Sequence, residues 1–261
     1  MCIRDSVTPE DSVRIGALLS NQAGFIRQIQ AYDEQRVTDR KFPVYAASTR
    51  GVNDSLAFRP DNERVADVRV RKALLHATNA KEIVQTLFTA NYPQAKGVIV
   101  STAAGFVDLS AELAFDEAKA KALLDEAGWV PQADGIRAKD GLPLVLSTYE
   151  SLNYLQNREV LQLVAQQWAK VGVKLNVLSG DLGSKTIDSL DPEKTALIPA
   201  MVGRADPDVI KSNYYPTNRN LLLQKGGISQ KVKSFEDTRL NGLFDAIAQE
   251  PDTARRLALT Q

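Results

Sequence analysis

Histidine and cysteine are almost missing from this sequence, with His76 and Cys2 the only residues of their kinds. A disulfide framework and a thiolate metal site are thereby excluded, and no bridge marks a redox compartment. A histidine-rich nickel site and a histidine-based hydrolytic triad lack their residues as well. His76 itself lies in a helical pattern beside Leu74 and Leu75, the setting of a structural histidine. An excess of charge is lacking too: 32 Lys plus Arg balance 32 Asp plus Glu, so no global field favours nucleic acid or anionic lipid. No apolar run reaches the roughly 18 residues of a membrane-spanning helix, and no glycine-rich phosphate loop follows a strand. Asp181, Asp188 and Asp191 do not follow the alternating calcium-loop pattern and read as solvated. No internal repeat, low-complexity segment or paired nucleophile and base stands out. We therefore expect no catalytic residue, no metal ligand and no cofactor.

What is present suits a folded α/β chain. With 44% hydrophobic residues in 261, the sequence can bury a sizeable core in one large domain or two smaller ones. Residues Met1 to Ser6 (MCIRDS) have no apolar stretch behind them, so they are no signal peptide and read as translated sequencing-adapter sequence. Ser12 to Ser20 predicts a short helix with Ser12 as N-cap. Val44 to Ala47 and Ser55 to Phe58 predict strands around the turn-rich connector Thr49 to Asp54. Asp67 caps an expected helix over 68–78, Asn79 and Glu82 have capping-box spacing for the next, and Asp116 caps a third. In that third helix Leu123, Leu124 and Ala127 face a core, and Gly128-Trp129 gives a left-handed stop.

The clearest unit begins at Leu144 to Tyr149, continues through a helical stripe of Val160, Leu161, Val164, Trp168 and Val171, and ends in the alternation Val173, Leu175, Val177. Strand, helix and strand within roughly 30 residues predict a parallel βαβ crossover. Thr195 to Val202 is a further strand running into Gly203 to Asp208. Gly226-Gly227 marks a loop. Phe235, Leu240, Leu243, Phe244 and Ile247 form the stripe of a later helix, and another begins after Pro251-Asp252 and is cut off at Gln261.

Three stretches in this order resemble the extracytoplasmic solute-binding proteins of ABC transporters, family 5, the peptide- and nickel-binding type: LAFRPDNERVADVRVRKALLHATNAKEIVQTLF, FDEAKAKALLDEAGW, and the βαβ ending WAKVGVKLNV. The resemblance runs from about Ser12 to Gln261 and covers an internal part of a family member. It implies an α/β fold, a periplasmic-binding-protein-like lobe with a mixed, largely parallel sheet flanked by helices, part of a two-lobe whole. Under it, residues 7–54 are the end of the first lobe and the hinge crossing, and 55–261 are the C-terminal solute-binding lobe, truncated at its end. A signal peptide belongs to the missing N-terminal part, which places the protein in the periplasm or otherwise outside the cytoplasm.

The function implied is that of a monomeric, non-enzymatic receptor that closes on an oligopeptide or similar solute and hands it to the permease subunits of an ABC importer. Neither nucleic acid nor direct membrane insertion is expected of this segment. The alternative is the ligand-sensing lobe of a cytoplasmic transcription regulator. Candidate ligand-binding residues are Arg50, Gly51 and Asn53 on the connector, Tyr149 at a strand end, and Arg204 and Asp206 at the end of the Thr195 to Val202 strand, where charged groups meet ligand charges in a cleft. Tyr214-Tyr215 offers further aromatic rings. Peptide-binding members often carry an aspartate three positions before an Asp-Pro pair, to hold a ligand's amino terminus. Gly203 occupies that position here, so the resemblance carries no such anchor over. The family's Ser-Gly after a small helix, with an aspartate three positions on, is likewise replaced by Ser20, Asn21 and Gly24.

Overall fold

A computed structural model describes residues 5–151, 156–203, 207–211 and 237–261. The chain divides into one unit of Met1–Ala47 with Glu82–Pro93 and a second of Ser48–Lys81 with Gln94–Gln261.

In the first unit, α1 (Asp11–Leu19) and α2 (Ala31–Asp39) bury Ile15, Leu18 and Val37 against Leu19, Ile26, Ile29, Phe42 and Val44. The expected cap at Ser12 is displaced. The cap falls two residues earlier, at Glu10, because the Asp11 carboxylate is drawn onto Arg14 and onto Gln30 Nε2 at 2.6 Å. The expected strand at Val44 to Ala47 does not form. Val44 packs into the apolar cluster, whereas residues 45–47 are exposed and have no ladder partner among the described residues. Glu34 Oε2 accepts from Thr89 Oγ1 at 2.6 Å and from Asn91 Nδ2 at 3.0 Å, which fastens the second segment of this unit to α2.

The second unit is built on short strands. β1 (Val52–Phe58) runs antiparallel to β7 (Leu197–Val202), in register from Phe58 opposite Leu197 to Ser55 opposite Ala200, with one extra residue bulged between Val52 and Ser55. α3 (Val68–His76) is capped by Asp67, whose Oδ1 accepts from Arg69 N at 2.8 Å, and it packs on α5 (Glu117–Glu126). Asp116 caps α5 through Lys119 N at 2.9 Å. α5 stops as expected: Gly128 has φ +86°, its N–H reaches Asp125 O at 2.9 Å, and Trp129 N–H reaches Leu124 O at 2.9 Å. Leu124 and Ala127 are buried; Leu123 is only half-buried. His76 is structural, with Nδ1–H donating to Ala114 O at 2.8 Å and its own carbonyl accepting from Asp116 N at 2.8 Å. Following α3 in the chain, α4 (Ala80–Leu87) buries Ile83, and Asn79 just before it gives its N–H to Gln167 Oε1 at 2.9 Å.

After the small antiparallel sheet β2 (Val130–Pro131), β3 (Arg137–Lys139) and β4 (Leu142–Pro143), the predicted crossover follows. β5 (Val145–Tyr149) and β6 (Lys174–Leu178) pair in parallel, joined by α6 (Asn157–Ala169), which buries Leu161, Val164 and Trp168. Ala196 N–H donates to Ser147 O at 3.0 Å, so β7 lies beside β5 and the arrangement mixes parallel and antiparallel pairing. β6 leads into α7 (Leu182–Ser189). Past β7 come a 3₁₀ turn at Pro207–Ile210, α8 (Thr238–Gln249) and α9 (Thr253–Thr260). α8 buries Phe244 and Ile247, while Leu243 of the expected stripe stays exposed. α9 approaches Gly105 closely: a Cβ there would lie 3.1 Å from Thr260 Cγ2 and 3.9 Å from Leu257 Cδ2. Gly226-Gly227 and Phe235 lie outside the described residues. Among those described, no helix is long and apolar enough to cross a membrane.

Candidate functional site

Two of the stretches singled out in the sequence meet at one end of the β1/β7 pair. Val52 lies opposite Val202, and a Cβ on Gly203 would sit 3.6 Å from Thr49 Cγ2 and 3.9 Å from Arg50 O. Gly51 is buried with φ +114°, and its carbonyl accepts from Val100 N at 2.9 Å. Arg50 is exposed. Asn53 serves as a brace, its Nδ2 donating to Gly97 O at 2.8 Å and Ile99 O at 3.0 Å, which binds the 97–100 segment to the outer side of β1. Next to it, Asp54 keeps an exposed surface, yet the protein around it withdraws water from the carboxyl. That burial pushes its pKa up to about 6, opposed by a backbone hydrogen bond from Ser55. Arg204, Asp206 and Tyr214-Tyr215 lie outside the described residues.

Tyr149 belongs to a different place. It lines a pocket of about 230 Å³ formed by the end of β5 (Tyr149, Ser151), the start of β7 (Thr195, Leu197, Ile198, Pro199) and one side of α7 (Leu182, Lys185, Thr186, Ser189). The strands are locked under it by Thr148 Oγ1, which donates to Leu197 O at 3.0 Å. α7 is pinned at both ends. Asp181 caps its start, accepting from Gly183 N at 2.8 Å and Ser184 N at 3.0 Å, and those bonds, with one from the Ser184 hydroxyl, hold its carboxyl below the usual range. At its far end the fully buried Arg59, paired with Asp61 at 2.8 Å, donates to Ser189 O, and Asn62 Nδ2 donates to Pro192 O at 2.7 Å.

The charges around this pocket are nearly all matched. Asp188 accepts from Tyr149 OH and from Lys194 Nζ, each at 2.7 Å; Lys194 chiefly, then Tyr149, lowers the Asp188 pKa, and the same bond raises that of the Tyr149 hydroxyl. Tyr149 is buried, with its hydroxyl engaged by Asp188. Glu150 holds Arg158 in a fork, at 2.6 Å to Nε and 2.8 Å to Nη2. Lys185 differs. Its Nζ donates to the backbone carbonyl of Glu150 at 3.1 Å, and desolvation lowers its pKa. Asp181 and Asp188, expected to be merely solvated, are thus both engaged, as is Asp191, which accepts from Glu193 N at 3.0 Å. Among the described residues no group of three or more histidine, cysteine or acidic side chains is placed to hold a metal ion.

Residues 3–220 match the family described as "Bacterial extracellular solute-binding proteins, family 5 Middle". The chain belongs to this family. The dipeptide-binding protein of Escherichia coli K12 is 26% identical over 237 residues, 89% of this chain and 42% of that protein. The oligopeptide-binding protein OppA of Lactococcus lactis subsp. lactis is 26% identical over 184 residues, 64% of this chain and 31% of that protein. Among solved structures, NikA from Brucella suis in complex with Fe(III)-EDTA superposes with a TM-score of 0.76 at 21% identity, over 97% of this chain and 51% of that one. AppA from Bacillus subtilis, in complex with a nonapeptide, also gives 0.76, at 18% identity over 97% and 49%. The chain therefore spans about half or less of the length of these proteins and shares their α/β fold over nearly all of its own. These relatives are binding proteins, and the regulator alternative finds no support among them.

Of the residues that line this pocket in this family-5 chain, the sequence singled out Tyr149 and passed over Lys185, Ser189 and Thr195. The usable signal was the segment after β6, where Asp181 and Ser184 have the spacing of a capped helix start directly beyond a strand.

Proposed function

We propose that this chain is part of a non-enzymatic receptor that binds oligopeptides or similar small solutes outside the cytoplasm and delivers them to the permease of an ABC importer. We place a signal peptide upstream of these residues and read the receptor as a monomer that binds no nucleic acid. In this reading residues 7–54 close the first lobe and cross the hinge, and 55–261 form the solute-binding lobe. Closure of two lobes around the solute is the signal the permease reads.

The observation that carries the proposal is the pocket beside β5, β7 and α7. It joins an apolar floor of Leu197, Ile198 and Pro199 to the polar groups of Tyr149, Ser151, Lys185 and Ser189, the mixture that fixes a reversible ligand. The family match and the peptide-binding relatives support the choice of solute. Arg50 and Gly51 form a second proposed contact region at the end of the β1/β7 pair, and Arg204 and Asp206 are proposed as ligand contacts on the sequence alone.

Thermal unfolding of the full-length receptor with di- to hexapeptides tests this. A ligand at a hundred times its Kd stabilises by about 2.7 kcal/mol through mass action, which raises the melting temperature by several degrees. Peptides that produce no shift, beside a metal chelate or another solute that does, would move the solute to that class.

A further inference from the structure

We propose that the pocket beside α7 is a subsite for a carboxylate group of the solute, held by Lys185. The inference rests on the receptor reading and names the chemistry of one part of the ligand. At about 230 Å³ the pocket is smaller than the roughly 300 Å³ at which sites for whole drug-sized ligands begin, so it accommodates one end or one side chain of a longer molecule. Among the described residues, Lys185 is the one charged group in its lining. The carboxylates around it are committed elsewhere, Asp181 to the amides of Gly183 and Ser184 and the Ser184 hydroxyl, Asp188 to Tyr149 and Lys194, and Glu150 to both donors of the Arg158 fork. What Lys185 has is a neutral partner, the Glu150 carbonyl at 3.1 Å, which leaves two of the three ammonium donors for a ligand.

A half-buried cation bonded to a neutral carbonyl is destabilised by its loss of water. The lowered pKa of Lys185 reports that loss, which the more distant Glu150 charge offsets only in part. A single carboxylate restores neutrality in the pocket, whereas a phosphate ester would bring nearly two negative charges. The apolar floor beside the cation raises the strength of such a pair relative to one at an open surface.

The test uses the full-length receptor and its Lys185→Met variant, which keeps the unbranched stem out to Cε and removes the ammonium group. Calorimetric titration compares each of two peptides with a free carboxylate, one terminal and one on a glutamate side chain, with its neutral amide. We expect the wild type to prefer one of the acids over its amide by about tenfold or more, and the variant to bind acid and amide alike. The peptide that shows the preference identifies which carboxylate is used. Separately, with lysines carrying 13C-methyl labels, excess acetate should shift the Lys185 resonance, assigned by its disappearance in the variant, and raise its pKa, while acetamide should do neither.

The two experiments separate the two ideas. Peptide binding without preference for the acid, or a preference that survives Lys185→Met, overturns the carboxylate subsite and leaves the receptor reading intact. A Lys185 resonance that responds to acetate in a protein that binds no peptide supports the subsite and removes the peptide. A Lys185 resonance indifferent to acetate, again without peptide binding, overturns the subsite.

Discussion

Helices α6 and α7 each follow a strand of the same parallel pair, yet one is part of the core and the other is a wall. α6 is 13 residues long and buries Leu161, Val164 and Trp168, with Trp168 Nε1 donating to Thr78 Oγ1 at 2.9 Å. α7 is 8 residues long, buries only Ser189, and leaves Leu182 79% and Ile187 60% exposed. α6 starts from Gln156 in the left-handed region without a side-chain cap, and α7 starts from a fully engaged Asp181. The difference shows two ways to fix a short helix. Apolar contact holds α6, so its ends can be careless; α7 lacks that contact and is fixed by polar groups at its termini, which leaves its side free to line a pocket.

The largest expected effect is on the α6 side. Trp168→Ala removes a side chain only 2% exposed together with the bond it gives the Thr78 hydroxyl, and it should cost about 3–5 kcal/mol in denaturant unfolding. A cost below about 1 kcal/mol would mean that α6 is not the anchored partner in the comparison. Gly172→Ala comes next. Gly172 has φ +82°, and a Cβ there would lie 2.7 Å from Arg137 Cγ, so the substitution combines a left-handed backbone with displacement of a buried arginine that bonds Val171 O at 2.9 Å and Trp129 O at 2.6 Å. We expect a loss of about 2–3 kcal/mol, read as a lower urea midpoint, with the βαβ crossover loosened at its second strand.

On the α7 side the effects are smaller and depend on pH. Asp181→Ala should speed hydrogen exchange through α7 with α6 unchanged. The Asp181 carboxyl is held below its ordinary 3.8 by the bonds it accepts, so its contribution is complete above that value and is lost as the pH falls through the lower folded value. Acid should therefore release the amides of Gly183 and Ser184 before those of α6. Simultaneous release would indicate that one unfolding event governs both helices.

Much of this organisation was legible in the sequence. The crossover showed itself because Leu161, Val164 and Trp168 repeat at helical spacing between two alternating strands, and Asp67, Asp116 and Gly128 marked helix ends through local geometry alone. The pocket was not legible. Asp181, Asp188 and Asp191 read only as solvated carboxylates because the groups that position α7 come from far away: Arg59 and Asn62 reach it across 130 residues of sequence. The bracing by Asn53 was hidden for the same reason. Its amide satisfies carbonyls 44 and 46 residues on, which no local pattern announces. Val44 to Ala47 failed as a strand because alternation at the level of side chains supplies no partner for the backbone, and hydrogen-bonded pairing is what makes a strand.

The smallest expected effect tests the wall itself. Ile187→Ser replaces a side chain already 60% exposed, so the stability of this chain should change by no more than about 0.5 kcal/mol. Trp168 and Ile187 would then differ by several kcal/mol although both lie on helices that follow strands of one sheet. Measured again in the full-length receptor, with and without solute, the same substitution becomes informative in a second way. If closure lays protein or ligand over the exposed side of α7, Ile187→Ser should weaken solute affinity several-fold while leaving the unliganded melting temperature in place, because it removes apolar contact made only in the closed state. An unliganded loss above about 1 kcal/mol would instead show that Ile187 is already covered in the open receptor, and the contrast between the two helices would narrow to their caps.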